Sequence, residues 1–162
     1  MTEPYTVLAF DPGGRTGWAV WNPLGDPDHI EVGEYDCLGV NDGDYSGLYR
    51  IHQRIEGGLL RPEFRIVCES FSIDPEDNRS AIDLTAVQVI GVIKLAVAYS
   101  NRLVFQPREI GRKFWTDDKL KQLSLYDLVK GKKDQKSALR HLLYYVTFTL
   151  GDPVFLHKLA RI

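Results

Sequence analysis

Two acidic residues close short apolar runs in this chain, and a third opens a helix-like segment near its end. Val7 to Phe10 leads into Asp11, and Phe64 to Cys68, within the string FRIVCE, leads into Glu69. Asp134 begins a run in which residues 134, 137 and 141 share one helical face, and these are Asp134, Ser137 and His141. A carboxylate where a buried strand leaves its sheet can meet a ligand while its backbone stays fixed. Two such groups a few ångströms apart repel unless a proton or cation is shared. Mg2+ takes hard oxygen ligands and keeps several waters, so Asp11, Glu69 and Asp134 form a candidate set of metal ligands. A pair of such ions suits phosphodiester hydrolysis, orienting the attacking water and stabilising the leaving 3' oxygen. The plain alternatives are an Asx turn at Asp11 before Pro12, and a helix-dipole partner at Asp134.

Cations accumulate around the same segments. Arg108, Arg112 and Lys113 follow the strand expected beside Glu69, and Lys130, Lys132 and Lys133 stand just before Asp134. Charges placed there would neutralise phosphates at the site itself, although a merely solvated face has the same composition. Phe71 and Trp115 are aromatic candidates for stacking on bases, with burial in the core as the alternative role.

Positioning these groups requires a mixed sheet. Residues 5 to 11 and 17 to 22 read as two strands joined by a turn containing Pro12, Gly13, Gly14 and Gly17, glycines expected to supply conformations that other residues enter only with strain. Ile30 to Asp36 reads as a third, more exposed strand of an antiparallel meander, and Cys37 to Gly47 as a loop. Leu48 to Leu60 carries Leu48, Ile51, Ile55 and Leu59 at helical spacing, and Pro62 follows it. Phe64 to Glu69 and Leu103 to Phe105 supply two more strands. A parallel crossover places the ends bearing Asp11 and Glu69 side by side. The expected fold is a mixed five-stranded α/β sheet flanked by helices.

Between the last two strands, Arg79 to Asn101 is apolar around almost its whole circumference. A helix of that kind must be covered all round, and a small domain covers one side. A partner subunit is the expected cover for the other, with Val89 and Ile93 as interface positions. Beyond it, Thr116 can cap a helix with Asp117 and Asp118 in its first turn and Leu120, Leu123 and Leu128 facing inward. A last helix is expected from about Asp134 to Leu150.

Residues 1–162 read as a single domain, with neither repeat nor linker. The formal charge of −2 gives no global preference for nucleic acid, but most cations lie after Arg79, so one face can be basic. The cysteines, Cys37 and Cys68, form neither a CxxC pair nor a disulfide framework, which points to a reducing, cytoplasmic setting. No apolar stretch is long enough to enter a membrane.

The strings FDPGGRTGWAVW, IVCESF, FQPREIGRKFW and KKDQKSALRHLLYY together resemble the RuvC family of Holliday-junction resolvases, within the ribonuclease H-like superfamily, and its small phage-encoded members in particular. The resemblance spans nearly the whole chain. It implies a ribonuclease H-like fold, two Mg2+ or Mn2+ ions per subunit, a homodimer built on the Arg79 to Asn101 helix, and symmetric cleavage of branched DNA, especially four-way junctions, leaving 5' phosphates. The family's first aspartate maps onto Asp11, its glutamate onto Glu69, and its C-terminal pair onto Asp134 and Ser137. Serine is the departure, being a weak neutral ligand in place of a carboxylate, with His141 as the nearby group able to compensate. The family's aromatic wedge falls at Ser72, so Phe71 stands one place early.

Overall fold

The computed structural model describes residues 5–22, 29–71, 84–153 and 156–157. Its strands are β1 (Thr6–Asp11), β2 (Arg15–Trp21), β3 (Ile30–Asp36), β4 (Phe64–Glu69) and β5 (Leu103–Gln106). Helix α1 (Ser46–Leu59) precedes β4, α2 (Thr85–Ala96) connects β4 to β5, and α3 (Arg108–Phe114), α4 (Asp117–Gln122), α5 (Tyr126–Val129) and α6 (Lys133–Tyr144) follow β5. The five strands form one sheet in the order β3-β2-β1-β4-β5. β1, β2 and β3 make the antiparallel meander, while β1 pairs with β4, and β4 with β5, in parallel. This is a ribonuclease H-like α/β fold.

Side-chain alternation along the strands splits the interior into two layers. Leu8 and Phe10 of β1, with Phe64, Ile66 and Cys68 of β4, pack against Ile51 and Ile55 of α1 and Val89 and Ile93 of α2. Val7, Ala9 and Val67 face the other way, onto Leu139, Leu142 and Leu143 of α6, Leu120 of α4 and Val129 of α5. Asp11 continues the parity of Val7 and Ala9, Glu69 that of Val67, and Gln106 that of Val104, which also packs on the α6 side. The period of two therefore aims all three polar strand ends at α6.

Several expectations need correction. None of Gly13, Gly14 and Gly17 has a positive φ; among the described residues that conformation occurs at Gly43, Gly131, Gly151 and Ser124. Gly17 is required for another reason: a Cβ there would collide with the backbone carbonyl of Asp134, so its bare Cα lets the first turn of α6 lie on β2. The long apolar helix is shorter than Arg79 to Asn101, running from Thr85 to Ala96, and residues 79–83 lie outside the described residues. Val89 and Ile93 are fully buried in this chain's own core and so are not interface positions, whereas Leu84, Val87 and Leu95 are exposed. The segment after Pro107 forms α3, and Trp115 behind it is completely buried in the α6-side core, which removes it as a base-stacking candidate. Thr116 does cap α4, its hydroxyl accepting from Lys119 N, and Leu120 is buried, but Leu128 is exposed. The last helix is regular only to Tyr144, after which Tyr145–Thr149 widens into a π turn closed by Leu150 N donating to Tyr145 O at 3.0 Å.

Candidate active site

The polar centre forms where three strand ends meet the first two turns of α6. Asp11 is opposite Gly17 in the β1–β2 register, and Gly17 carries the Asp134 backbone, so Asp134 arrives beside Asp11 through one close approach. Glu69 is paired with Gln106 across the β4–β5 ladder. One and two turns into α6, Ser137 and His141 face this row, both buried.

Glu69 is held on several sides. Its Oε2 accepts from the Ser137 hydroxyl at 3.0 Å and lies 3.0 Å from His141 Nε2. Its Oε1 lies 3.5 Å from Arg108 Nε. The other imidazole nitrogen, His141 Nδ1, is 2.8 Å from Gln106 Oε1. An ionised Glu69 only accepts, so Nε2 carries a hydrogen toward it. The Gln106 amide has an acceptor oxygen and a donor nitrogen, and so can answer Nδ1 in either of its states. The row Gln106–His141–Glu69 thus fixes both the imidazole and the carboxylate.

The two strand-end acids are driven in opposite directions. Burial, then repulsion from Glu69 and Asp134, pushes Asp11 up to about 7, with Ser137 and Arg108 offsetting only part of the rise. Burial also works against the Glu69 charge. There, however, the hydrogen bond and charge of His141, the Ser137 hydroxyl and Arg108 outweigh it and hold the carboxyl below its usual range. The site thus contains one carboxylate whose ionised form is favoured and one whose ionised form burial and its acidic neighbours disfavour.

Among the described residues, no group of three or more His, Cys, Asp and Glu side chains is gathered closely enough to be a ready-made metal cage. The donor chemistry nevertheless fits a hard divalent cation. Three carboxylates repel one another, the repulsion shows in the raised Asp11, and oxygen donors of this kind are what Mg2+ prefers. The Ser137 hydroxyl lies between the two strand-end acids, donating to Glu69 and helping to lower Asp11, and both His141 ring nitrogens face polar side chains. In this arrangement His141 lies against Glu69 and orients its carboxylate.

Of the remaining sequence candidates, Arg108 is exposed and joins Glu69 directly. Arg112, Lys132 and Lys133 line a cavity of about 400 Å³ that reaches Ser137. Lys113 and Lys130 are exposed and take no part in lining that cavity. Phe71 is exposed just beyond Glu69, while Ser72, the place of the family's wedge, lies outside the described residues. Gln106, Lys136 and Arg140 were not anticipated. Gln106 ends an alternating strand with the same parity as Glu69, and Lys136 and Arg140 recur at a spacing of four beside Ser137, which is the pattern that would have found them.

No protein-family model matches the chain, and no curated protein sequence matches it. Its structure does find relatives. RuvC of Thermus thermophilus superposes with a TM-score of 0.59 at 15% identity, covering 90% of this chain and 95% of RuvC. T. thermophilus RuvC in complex with Holliday junction substrate gives a TM-score of 0.54 at 16% identity, covering 90% and 97%. The fold is RuvC-like. Among the described residues, no helix is long and apolar enough to cross a membrane.

Proposed function

We propose that this chain is a divalent-metal-dependent endodeoxyribonuclease that resolves Holliday junctions and other branched DNA. The observation that carries the reading is the convergence of Asp11, Glu69 and Asp134 at one end of a RuvC-like sheet, beside a cavity walled by cations. Asp11, Glu69 and Asp134 would hold Mg2+ or Mn2+, two ions per subunit in the family it resembles, and bound metal supplies an activated water and charge compensation at the scissile phosphate. The chain's own residues do the rest. His141 and Ser137 keep Glu69 in one orientation, Gln106 keeps His141 in place, and Arg108 brings a positive charge to the mouth of the site. Arg108, Arg112, Lys113, Lys130, Lys132 and Lys133 contact the backbone, and exposed Phe71 meets a base near the cut. Attack of water on the phosphorus expels the 3' oxygen, leaving a 3' hydroxyl and a 5' phosphate.

Two such sites acting together require a homodimer, for which the exposed face of α2 is the natural contact. Leu84, Val87 and Leu95 line it, with open space over Gly91 between them. A phage-encoded protein of this type would work in the host cytoplasm.

A second reading has its own observation. Ser137 replaces a carboxylate and spends its hydroxyl on Glu69, as suits a junction-binding protein whose catalytic centre has degenerated. A cleavage assay over four-way, three-way, flap and linear DNA, with Mg2+ and with Mn2+, separates these cases. Symmetric nicks in the four-way junction support resolution. Preferential cutting of flaps or forks would replace it with a broader branch nuclease, and tight junction binding without any cut would favour the degenerate site.

A further inference from the structure

Beside the carboxylates, between α3 and the first two turns of α6, lies the cavity of about 400 Å³. Five cations line it: Arg112, Lys132, Lys133, Lys136 and Arg140. The acid ion-paired with two of them is Asp117, the first residue of α4. Lys136 Nζ lies 3.2 Å from both Asp117 oxygens, and Arg140 Nη2 lies 2.6 Å from Oδ1. Lys136 and Arg140 are mostly buried, their side chains 18% and 15% exposed, whereas Asp117 is 41% exposed at the rim. Lysines and arginines rarely give up water without a partner for the charge. One carboxylate is shared by two mostly buried cations, three more cations line the same cavity, and its lining contains no acid, so the wall itself is strongly positive. A buried guanidinium N–H, Arg140 Nε, also finds no hydrogen-bond partner among the described residues. Burial works against the Arg140 charge, and although Asp117 supports it, nearby Arg112 works against it again.

We propose that this cavity is a phosphate subsite that grips a non-scissile phosphodiester of the strand being cut, next to the scissile phosphate. Asp117 is the positioning residue that holds Lys136 and Arg140 fanned toward it. The inference rests on the nuclease reading and deepens it. Ser137 belongs to both places, lining the cavity while donating to Glu69, so a phosphate seated among the cations lies one residue from the carboxylate centre. Arg140 supplies a planar fork suited to phosphate oxygens, and Lys136 a point charge beside it. The cavity thereby sets the register of the strand, which the carboxylates alone cannot do.

The test couples a change in the protein to a change in the DNA. Four-way junctions carrying one neutral methylphosphonate at each successive position around the incision are bound, without divalent ion, by the wild-type chain and by Lys136→Gln. At one position flanking the cut, the methylphosphonate should weaken wild-type binding about tenfold yet cost Lys136→Gln almost nothing, because the same contact is already lost. The slope of log K against log salt should fall by about one for the variant. Equal methylphosphonate penalties in both proteins at every position would overturn the subsite. Should Lys136→Gln fold poorly, Arg112→Gln, on the exposed side of α3, completes the same cycle with the same two outcomes. The nuclease reading fails separately: a wild-type chain that shows the coupling but cuts no branched DNA with Mg2+ or Mn2+ keeps the subsite and loses the reaction.

Discussion

The backbone carbonyl of Asp134 rests on the bare Cα of Gly17, and through this contact helix α6 reaches the sheet. Any side chain at position 17 pushes the start of α6 off β2, carrying Asp134 away from Asp11. Gly17→Ala should therefore lower stability by about 1–3 kcal/mol and reduce cleavage by about a hundredfold, since displacements near 1 Å suffice for that. Thermal melts and single-turnover rates check both. A variant with wild-type activity would show that Asp134 has no part in the chemistry.

Asp11→Asn and Glu69→Gln each remove one charged oxygen while preserving size. Each should lower cleavage by more than about a hundredfold and leave junction binding close to normal, because the cations around the cavity are untouched. Rates near wild type in either variant would sink the assignment of these residues as metal ligands.

The acid pair also predicts a pH dependence. Asp11 is raised from 3.8 to about 7 in the folded chain, so between those values the unfolded chain has lost its proton while the folded chain still holds it. Stability from this group is complete below about 4 and is lost as pH rises through about 7. Glu69, held low, has the opposite sign, and its contribution is lost only as pH falls through its lowered folded value. The metal-free protein should melt at progressively lower temperature from pH 5 to pH 8. Millimolar Mg2+ should restore the loss, and Asp11→Asn should flatten the trend. A melting temperature for the metal-free wild type that is constant or rises across this range contradicts the strained carboxylate.

Ser137 and His141 separate ligand from support. Ser137→Asp places a carboxylate against Glu69, where the serine hydroxyl now donates at 3.0 Å, so the metal-free protein should lose stability while divalent-ion affinity and the rate at low Mg2+ both rise. His141→Ala should cost about 1.5–3 kcal/mol by stripping a buried donor from a charged acceptor, and Gln106→Ala should show a weaker version of the same defect. Calorimetric metal titrations and melting curves distinguish the two classes. If Ser137→Asp changed neither affinity nor stability, this face of α6 would not line the site.

Assembly yields a contrast between two faces of one helix. Leu95→Glu or Val87→Glu should give folded monomers, because both side chains are exposed in the single chain. Val89→Glu should instead give unfolded or insoluble protein, since Val89 is buried between the sheet and α1. Sedimentation of the wild type as a monomer at micromolar concentration would refute the α2 contact.

Much of this was readable beforehand, for physical reasons particular to each residue. Apolar runs that end in an acid marked β1 and β4, and their parallel pairing brought Asp11 and Glu69 to one edge. The orientation of α2 was not readable, because a helix apolar on every side carries no pattern saying which side meets its own sheet. For Trp115 the sequence left base stacking and core burial both open, and Gly111, one helical turn earlier, decides for the core by letting α3 settle on α6 with the ring buried behind it. Gln106 escaped notice because a neutral amide announces no chemistry until the imidazole it faces is known.

The sheet separates the two jobs that the proposed junction-cutting dimer would have to do. Its one side carries α6 and the carboxylates, its other side α1 and α2. Asp11, Glu69, Asp134, Ser137, His141 and Arg108 meet within one chain. On the proposed nuclease reading, each protomer would nick on its own, and pairing through α2 would decide how many strands are cut rather than whether cutting occurs. Mixed dimers with one Glu69→Gln protomer would release junctions nicked once, at the rate of an unmodified site.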